Sequence, residues 1–159
     1  MKYKGVWFYG LSGSGKSLIS NSLKKKFKNI FIIDGDEVRK YISFDLGYAL
    51  KDREIQIRRI FGLIKIVKKS GLTPVASSVY FNKEILQKCK KDRIIPIRID
   101  RKKMKDVFKN HKTNKNSKNI VGIDIKYDNF KTKIISNTNH KSFCQNLNFF
   151  KKFLKEKDF

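Results

Sequence analysis

Eight residues, "GLSGSGKS" (Gly10–Ser17), have the types and spacing of a phosphate-binding loop, G-x-x-x-x-G-K-[ST]. Gly10, Gly13 and Gly15 permit backbone turns closed to other residues, so the N–H groups around Leu11, Ser12 and Ser14 can face a single anion. The helix expected next adds the positive end of its dipole. Lys16 is then placed to reach the β- and γ-phosphates of a nucleotide, and the Ser17 hydroxyl to ligate Mg²⁺. The plain alternative is a chance match in a Gly/Ser turn. Its position between an apolar strand and an amphipathic helix argues against that. ATP and Mg²⁺ are therefore the expected cofactors, although a nucleotide loop does not by itself make an enzyme.

Two further clusters supply what a phosphoryl transfer needs next. In "IDGDEVR" (Ile33–Arg39), Asp34 and Asp36 flank a glycine at the end of an apolar strand. One carboxylate can orient Mg²⁺ or its waters, and the other can accept the proton of an acceptor hydroxyl. Arg39, three residues on, suits an anion clamp. An Asp-Gly turn with a helix cap would use the same residues, and the two readings are compatible. In "DLGYALKDREIQIRRI" (Asp45–Ile60), Arg53 and Gln56 share a helix face and Tyr48 precedes them in a loop. A ring to stack on a base and guanidinium groups to grip phosphates suit a nucleotide, with Arg58 and Arg59 as two more cations. Taken alone, such a stretch is a solvated basic helix more often than a site.

The elements that must position these residues alternate. "GVWFYG" (5–10), "NIFIID" (29–34), "LTPVASS" (72–78), "RIIPIRID" (93–100) and "KIIS" (133–136) read as strands. Pro74 within the third indicates a bulge or an edge position. Between them, Leu18, Ile19 and Leu23 form one apolar helical face, and Ile57, Ile60, Phe61, Ile64 and Val67 form another that stops at Gly71. "NKEILQKCKK" is a short helix, and Phe143, Leu147, Phe150 and Leu154 make a last helical stripe. The pattern predicts a single α/β domain over residues 1–159, with a parallel sheet of about five strands covered by helices on both faces. Ligands then lie at the carboxyl ends of the strands, where Gly10, Asp34 and Ser77 should meet.

The composition narrows the partners. There are 38 Lys+Arg against 14 Asp+Glu, a formal charge of +24, which favours anionic partners. Only seven of the basic residues are Arg, and the lysines are scattered beside Asn and Ile, so a general lysine bias explains the charge as well as a polyanion surface does. No RNA-recognition, KH or zinc-finger motif accompanies it, and no nucleic-acid partner is expected. A basic P-loop protein using ATP as a switch on nucleic acid is the reading from a different class. Cys89 and Cys144 have neither metal-ligand nor disulfide-framework spacing. No apolar run is long enough to span a bilayer, and the start leads directly into the loop without a signal peptide. A cytoplasmic location without membrane attachment is the expectation.

Together, "GLSGSGKS", "DGDEVR", "DLGY…DRE…IRRI" and "NIVGID" (Asn119–Asp124) followed by Tyr127 resemble the adenylylsulfate (APS) kinase family, in order and at compatible spacing. The resemblance implies a P-loop NTPase-type three-layer fold and transfer of the ATP γ-phosphoryl group to the ribose 3′-hydroxyl of a small nucleotide acceptor. It also implies Mg²⁺, a lid of about residues 106–124 including "KNHKTNKNSKN", and a homodimer. By position, Gly10–Ser17 correspond to the ATP loop with Lys16 catalytic, and Asp36 with Asp34 to the groups near the 3′-hydroxyl and metal. Arg39 and Arg53 look like the acceptor-gripping arginines, and Tyr48 like the base-stacking aromatic. The departures lie on the acceptor side. Ile120 replaces an aromatic, Gln56 replaces an acceptor-binding Asn, and a Ser-Pro step gives way near Tyr80-Phe81, leaving Ser77 and Ser78 upstream. The lid lacks the family's Gly-Leu-Tyr and Arg-Ala-Gly runs. Relatives that phosphorylate cytidine diphosphoramidate in capsule modification show that the acceptor can change. The substitutions favour that pyrimidine acceptor here, with APS as the alternative.

Overall fold

The computed structural model describes residues 3–101, 118–126 and 130–137. Five strands, β1 (Gly5–Tyr9), β2 (Ile30–Asp34), β3 (Thr73–Ser78), β4 (Ile94–Asp100) and β5 (Lys133–Ser136), form one parallel sheet in the order β2-β3-β1-β4-β5. The helices are α1 (Lys16–Lys24), α2 (Gly35–Tyr41), α3 (Leu50–Lys69) and α4 (Lys83–Asp92). Every strand named from the sequence is present, and α2 is added immediately after the Asp-Gly pair.

Alternation along the central strand explains the layers. Trp7 and Tyr9 point to one face and pack with Ile57, Ile60 and Ile64 of α3 and with Ile85 and Cys89 of α4. Val6 and Phe8 point to the other and pack with Ile19 and Leu23 of α1. Both faces of β1 are thus apolar, as a central parallel strand requires. Leu18, expected on the buried face of α1, is instead 54 % exposed. Ile19 and Leu23, four apart, form the inward row, and Leu18 lies one step of about 100° around the helix from it.

Two features of the sheet differ from the sequence reading. Pro74 is neither at an edge nor in a bulge, because β3 lies between β2 and β1. It is tolerated because it is second in its strand and lies before the β1–β3 register begins at Val6↔Val75. β2 takes the edge, and Phe31 is 49 % exposed there. The long apolar face of α3 and the stop at Gly71, with φ +81°, are as expected. The stripe Phe143–Leu154, Cys144, Tyr127 and most of the lid stretch lie outside the described residues. Among the described residues no helix is long and apolar enough to cross a membrane.

Arg93 ends α4 in the left-handed conformation, φ 59° and ψ 37°, where a Cβ is unfavourable. Replacing Arg93 with Gly removes that cost and leaves the carbonyl that receives the Lys4 N–H. The Arg93→Gly protein should be more stable by about 1 kcal/mol, seen as a higher urea midpoint with an unchanged m-value.

Candidate active site

The carboxyl rim of the sheet opens into a cleft of about 760 Å³. Its floor begins with the Gly10–Ser17 loop between β1 and α1. Gly13 and Gly15 adopt φ 74° and 106°, which L-residues with side chains avoid. Gly10, at φ 150°, is needed for a second reason as well: a Cβ there would lie 2.3 Å from the Ile99 carbonyl oxygen. Gly15 stands at the α1 N-terminus with no side-chain cap, and no acidic residue occupies the first turn, so the helix dipole is unopposed. Lys16 Nζ donates to the carbonyls of Gly10 at 2.8 Å and Leu11 at 2.9 Å. Burial pulls this ammonium down to about 8, against the opposing influence of Asp36 and then Asp34.

Asp34 closes β2 and caps α2, its Oδ1 accepting the Asp36 N–H at 2.9 Å. Its Oδ2 accepts from Ser17 Oγ at 2.9 Å and Ser77 Oγ at 3.1 Å. One carboxylate thereby joins the loop helix, two strands and α2. Asp36 lines the cleft one step further on. Gly35 between them is pressed against β3, where a Cβ would meet the Ser77 carbonyl oxygen at 2.6 Å. Gln56 Nε2 donates to the Gly35 carbonyl at 2.9 Å, and Gln56 is only 5 % exposed. Its Oε1 is buried without a hydrogen-bond partner.

Arg39 and Arg53 both lie over the Tyr48 ring, with Cζ 4.7 and 5.5 Å from its centroid. Arg39 donates to the Gly47 carbonyl at 2.6 Å, and Arg53 to those of Tyr48 at 3.0 Å and Asn119 at 2.8 Å. Among the described residues neither forms an ion pair with a carboxylate. Burial and then the nearby Arg39 cation lower the Arg53 pKa. Two guanidinium groups held so close suit a polyanion. Arg53 also ties α3 to the segment that brings Ile120 and Lys118 into the cleft.

The structure does not bring every candidate together. Arg58 pairs with Glu84 at 2.8 Å and Arg59 with Asp45 at 2.5 Å, and neither lines the cleft. They turn away because the apolar row of α3 packs on the sheet, and of the polar α3 candidates Arg53 and Gln56 remain on the cleft side, with Ile57 and Ile60. Ser78 lines the cleft, but its Oγ is taken up by the protein, accepting from Trp7 Nε1 at 2.9 Å and donating to the Tyr80 carbonyl at 2.7 Å. Phe81, where the family has its Ser-Pro step, stacks on Tyr9 at 4.4 Å between centroids. Two residues at the site escaped the sequence reading: Arg101 donates to the Gly13 carbonyl at 3.1 Å and Asn137 to that of Ser14 at 2.8 Å. The signal available for both was position alone, immediately after β4 and β5 on the ligand side of a parallel sheet.

The family model of adenylylsulphate kinase matches residues 2–134. The chain belongs to the adenylylsulfate kinase family. Over 78 residues it is 42 % identical to the adenylyl-sulfate kinase of Buchnera aphidicola, covering 46 % of this chain and 38 % of that relative. It is 38 % identical over 78 residues to a probable bifunctional SAT/APS kinase of Sorangium cellulosum, covering 46 % of this chain and 13 % of that one. The matched stretch therefore spans well under half the length of these curated relatives. The APS kinase of Mycobacterium tuberculosis, solved in complex with AMPPNP and APS, has the same fold, with a TM-score of 0.79 over 96 % of this chain and 98 % of that one at 20 % identity. The fold class read from the sequence is thus that of the family.

The position of Lys16 has a measurable consequence. Phosphate binding by the loop would draw on the charged form, which in the free site is lost as pH rises through about 8. ADP affinity should be level below this pH and fall, by up to about tenfold per unit, above it. A Lys16→Met protein, titrated by calorimetry across the same range, should show weaker binding without that break.

Proposed function

We propose that this chain is an ATP-dependent kinase transferring the γ-phosphoryl group to the ribose 3′-hydroxyl of a nucleotide. One observation carries the reading: a single cleft gathers Lys16 and Ser17, the Asp34–Asp36 pair, and the Arg39–Tyr48–Arg53 cluster. The loop amides and Lys16 hold the phosphates of ATP, and the arginines hold the anionic chain of the acceptor. Asp36 accepts the proton of the 3′-hydroxyl as its oxygen bonds to the γ-phosphorus, and ADP leaves with the bridging oxygen. Asp34 keeps Ser17 and the Asp36 turn in place. Mg²⁺ suits this donor set, since Ser17 Oγ and the two carboxylates are hard oxygen ligands, and when bound it neutralises charge on the phosphate oxygens. Among the described residues no group of three or more His, Cys, Asp or Glu could hold a metal ion, consistent with a metal held largely by the nucleotide and water.

The relatives' names support APS as the acceptor, which would place the reaction in sulfate assimilation. A second reading, cytidine diphosphoramidate in capsule biosynthesis, is favoured by Ile120 and Gln56. An aliphatic wall opposite Tyr48 forgoes one aromatic contact with a purine. Gln56 stands where the family has an acceptor-binding Asn, and its buried Oε1 without a partner changes the hydrogen bonding offered there. A cytoplasmic homodimer completes the proposal, on the family resemblance.

Two measurements test it. Asp36→Asn keeps the size and removes the charge, so turnover should fall by about 10²-fold with the fold intact. Near-normal turnover in that variant would remove Asp36 from the chemistry. ATP consumption with APS and with cytidine diphosphoramidate, assayed side by side, should show 3′-phosphorylation of at least one. The ratio of kcat/KM decides between them, and ATP use stimulated only by nucleic acid would overturn the kinase assignment.

A further inference from the structure

The contacts at Ser14 point to a role for a residue outside every motif. We propose that Asn137 is a positioning residue for phosphate binding, because its side chain fixes the orientation of the Ser14–Gly15 peptide. Asn137 follows β5, and its own N–H donates to the Asp100 carbonyl at the end of β4, at 2.6 Å. From that anchored position Nδ2 donates to the Ser14 carbonyl at 2.8 Å. A trans peptide is planar with its C=O and N–H antiparallel. Holding the Ser14 oxygen toward β5 therefore turns the Gly15 N–H the opposite way. Gly15 lines the cleft, and Ser14 is 1 % exposed, so the two ends of this peptide face the protein and the ligand respectively.

Without Asn137 nothing else described holds that carbonyl. Gly15 tolerates many backbone conformations, so the peptide could rotate and present an oxygen to the phosphates. The preceding peptide is fixed independently: the Gly13 oxygen accepts from Arg101, and the Ser14 N–H donates to the Leu11 carbonyl at 3.2 Å. Arg101 carries a charge that could act on an anion directly, whereas Asn137 carries none. Its effect must pass through the loop.

The inference rests on the loop binding phosphate, and the test separates the two. Inorganic tripolyphosphate and ADP, each titrated by calorimetry with Mg²⁺, probe the loop without and with a base. Asn137→Ala should weaken both by about tenfold, the loss of one hydrogen bond. Asn137→Asp, of equal size but unable to donate when ionised, should weaken both at least as much. The ATP KM should rise in step while the acceptor KM holds. Loss of ADP affinity with tripolyphosphate unaffected would mean that Asn137 serves the base, and would overturn the proposal. So would unchanged affinities in folded variants, or a lower unfolding midpoint as the sole effect. A wild-type protein that binds neither ligand would instead overturn the reading of the loop itself. Should Asn137→Ala not fold, Asn137→Asp alone decides.

Discussion

The site is organised around one carboxylate shared by three hydrogen bonds. Asp34 accepts from Ser17, Ser77 and the Asp36 backbone, and so fixes the start of α1 relative to the ends of β2 and β3 and the first turn of α2. Bonds to an ionised acceptor are stronger than those between neutral groups, and a shared acceptor makes its donors mutually dependent. Gly35 completes the junction by allowing β3 to approach where any side chain would collide with it. Displacing Asp34 would therefore move the phosphate loop, the second carboxylate and the α2 arginine together.

Much of this was legible in the sequence. A strand ending in glycine, a loop of fixed pattern and an amphipathic helix are local signals, and each element formed where its periodicity placed it. The Asp-Gly-Asp pair proved to be a helix cap while lining the cleft, as both readings of it allowed. Exposure at edges was less visible. Phe31 looks like core until the strand order puts β2 at the margin, and Pro74 looks like an edge residue until the β1 register starts beyond it. Strand order is a long-range property, and hydrophobic period does not encode it.

The same limit applies to charge. Four arginines fall in the stretch from Arg39 to Arg59, yet only Arg39 and Arg53 lie over Tyr48, while Arg58 and Arg59 pair with Glu84 and Asp45. Helix phase separates the two sets once the buried row of α3 is known. Asn137 and Arg101 were harder still, because each reaches the loop from a strand distant in sequence and belongs to no local pattern.

Lys16 illustrates the tension between a working site and a stable fold. Its ammonium, desolvated where it donates to the Gly10 and Leu11 carbonyls, has its pKa held at about 8, well under that of an exposed lysine. The folded state thus disfavours the charged form, the one a phosphate would call on. Below pH 8 this opposes folding by an amount on the order of a few kcal/mol, and the opposition fades as pH rises toward the unfolded value. An uncharged residue of similar length would make a sturdier protein with a poorer loop. Under the proposed function, nucleotide would reverse the imbalance, because its negative charge stabilises the ammonium. A protein that binds nucleotide there would be most resistant to unfolding with nucleotide bound, the ligand returning stability that the lysine takes away.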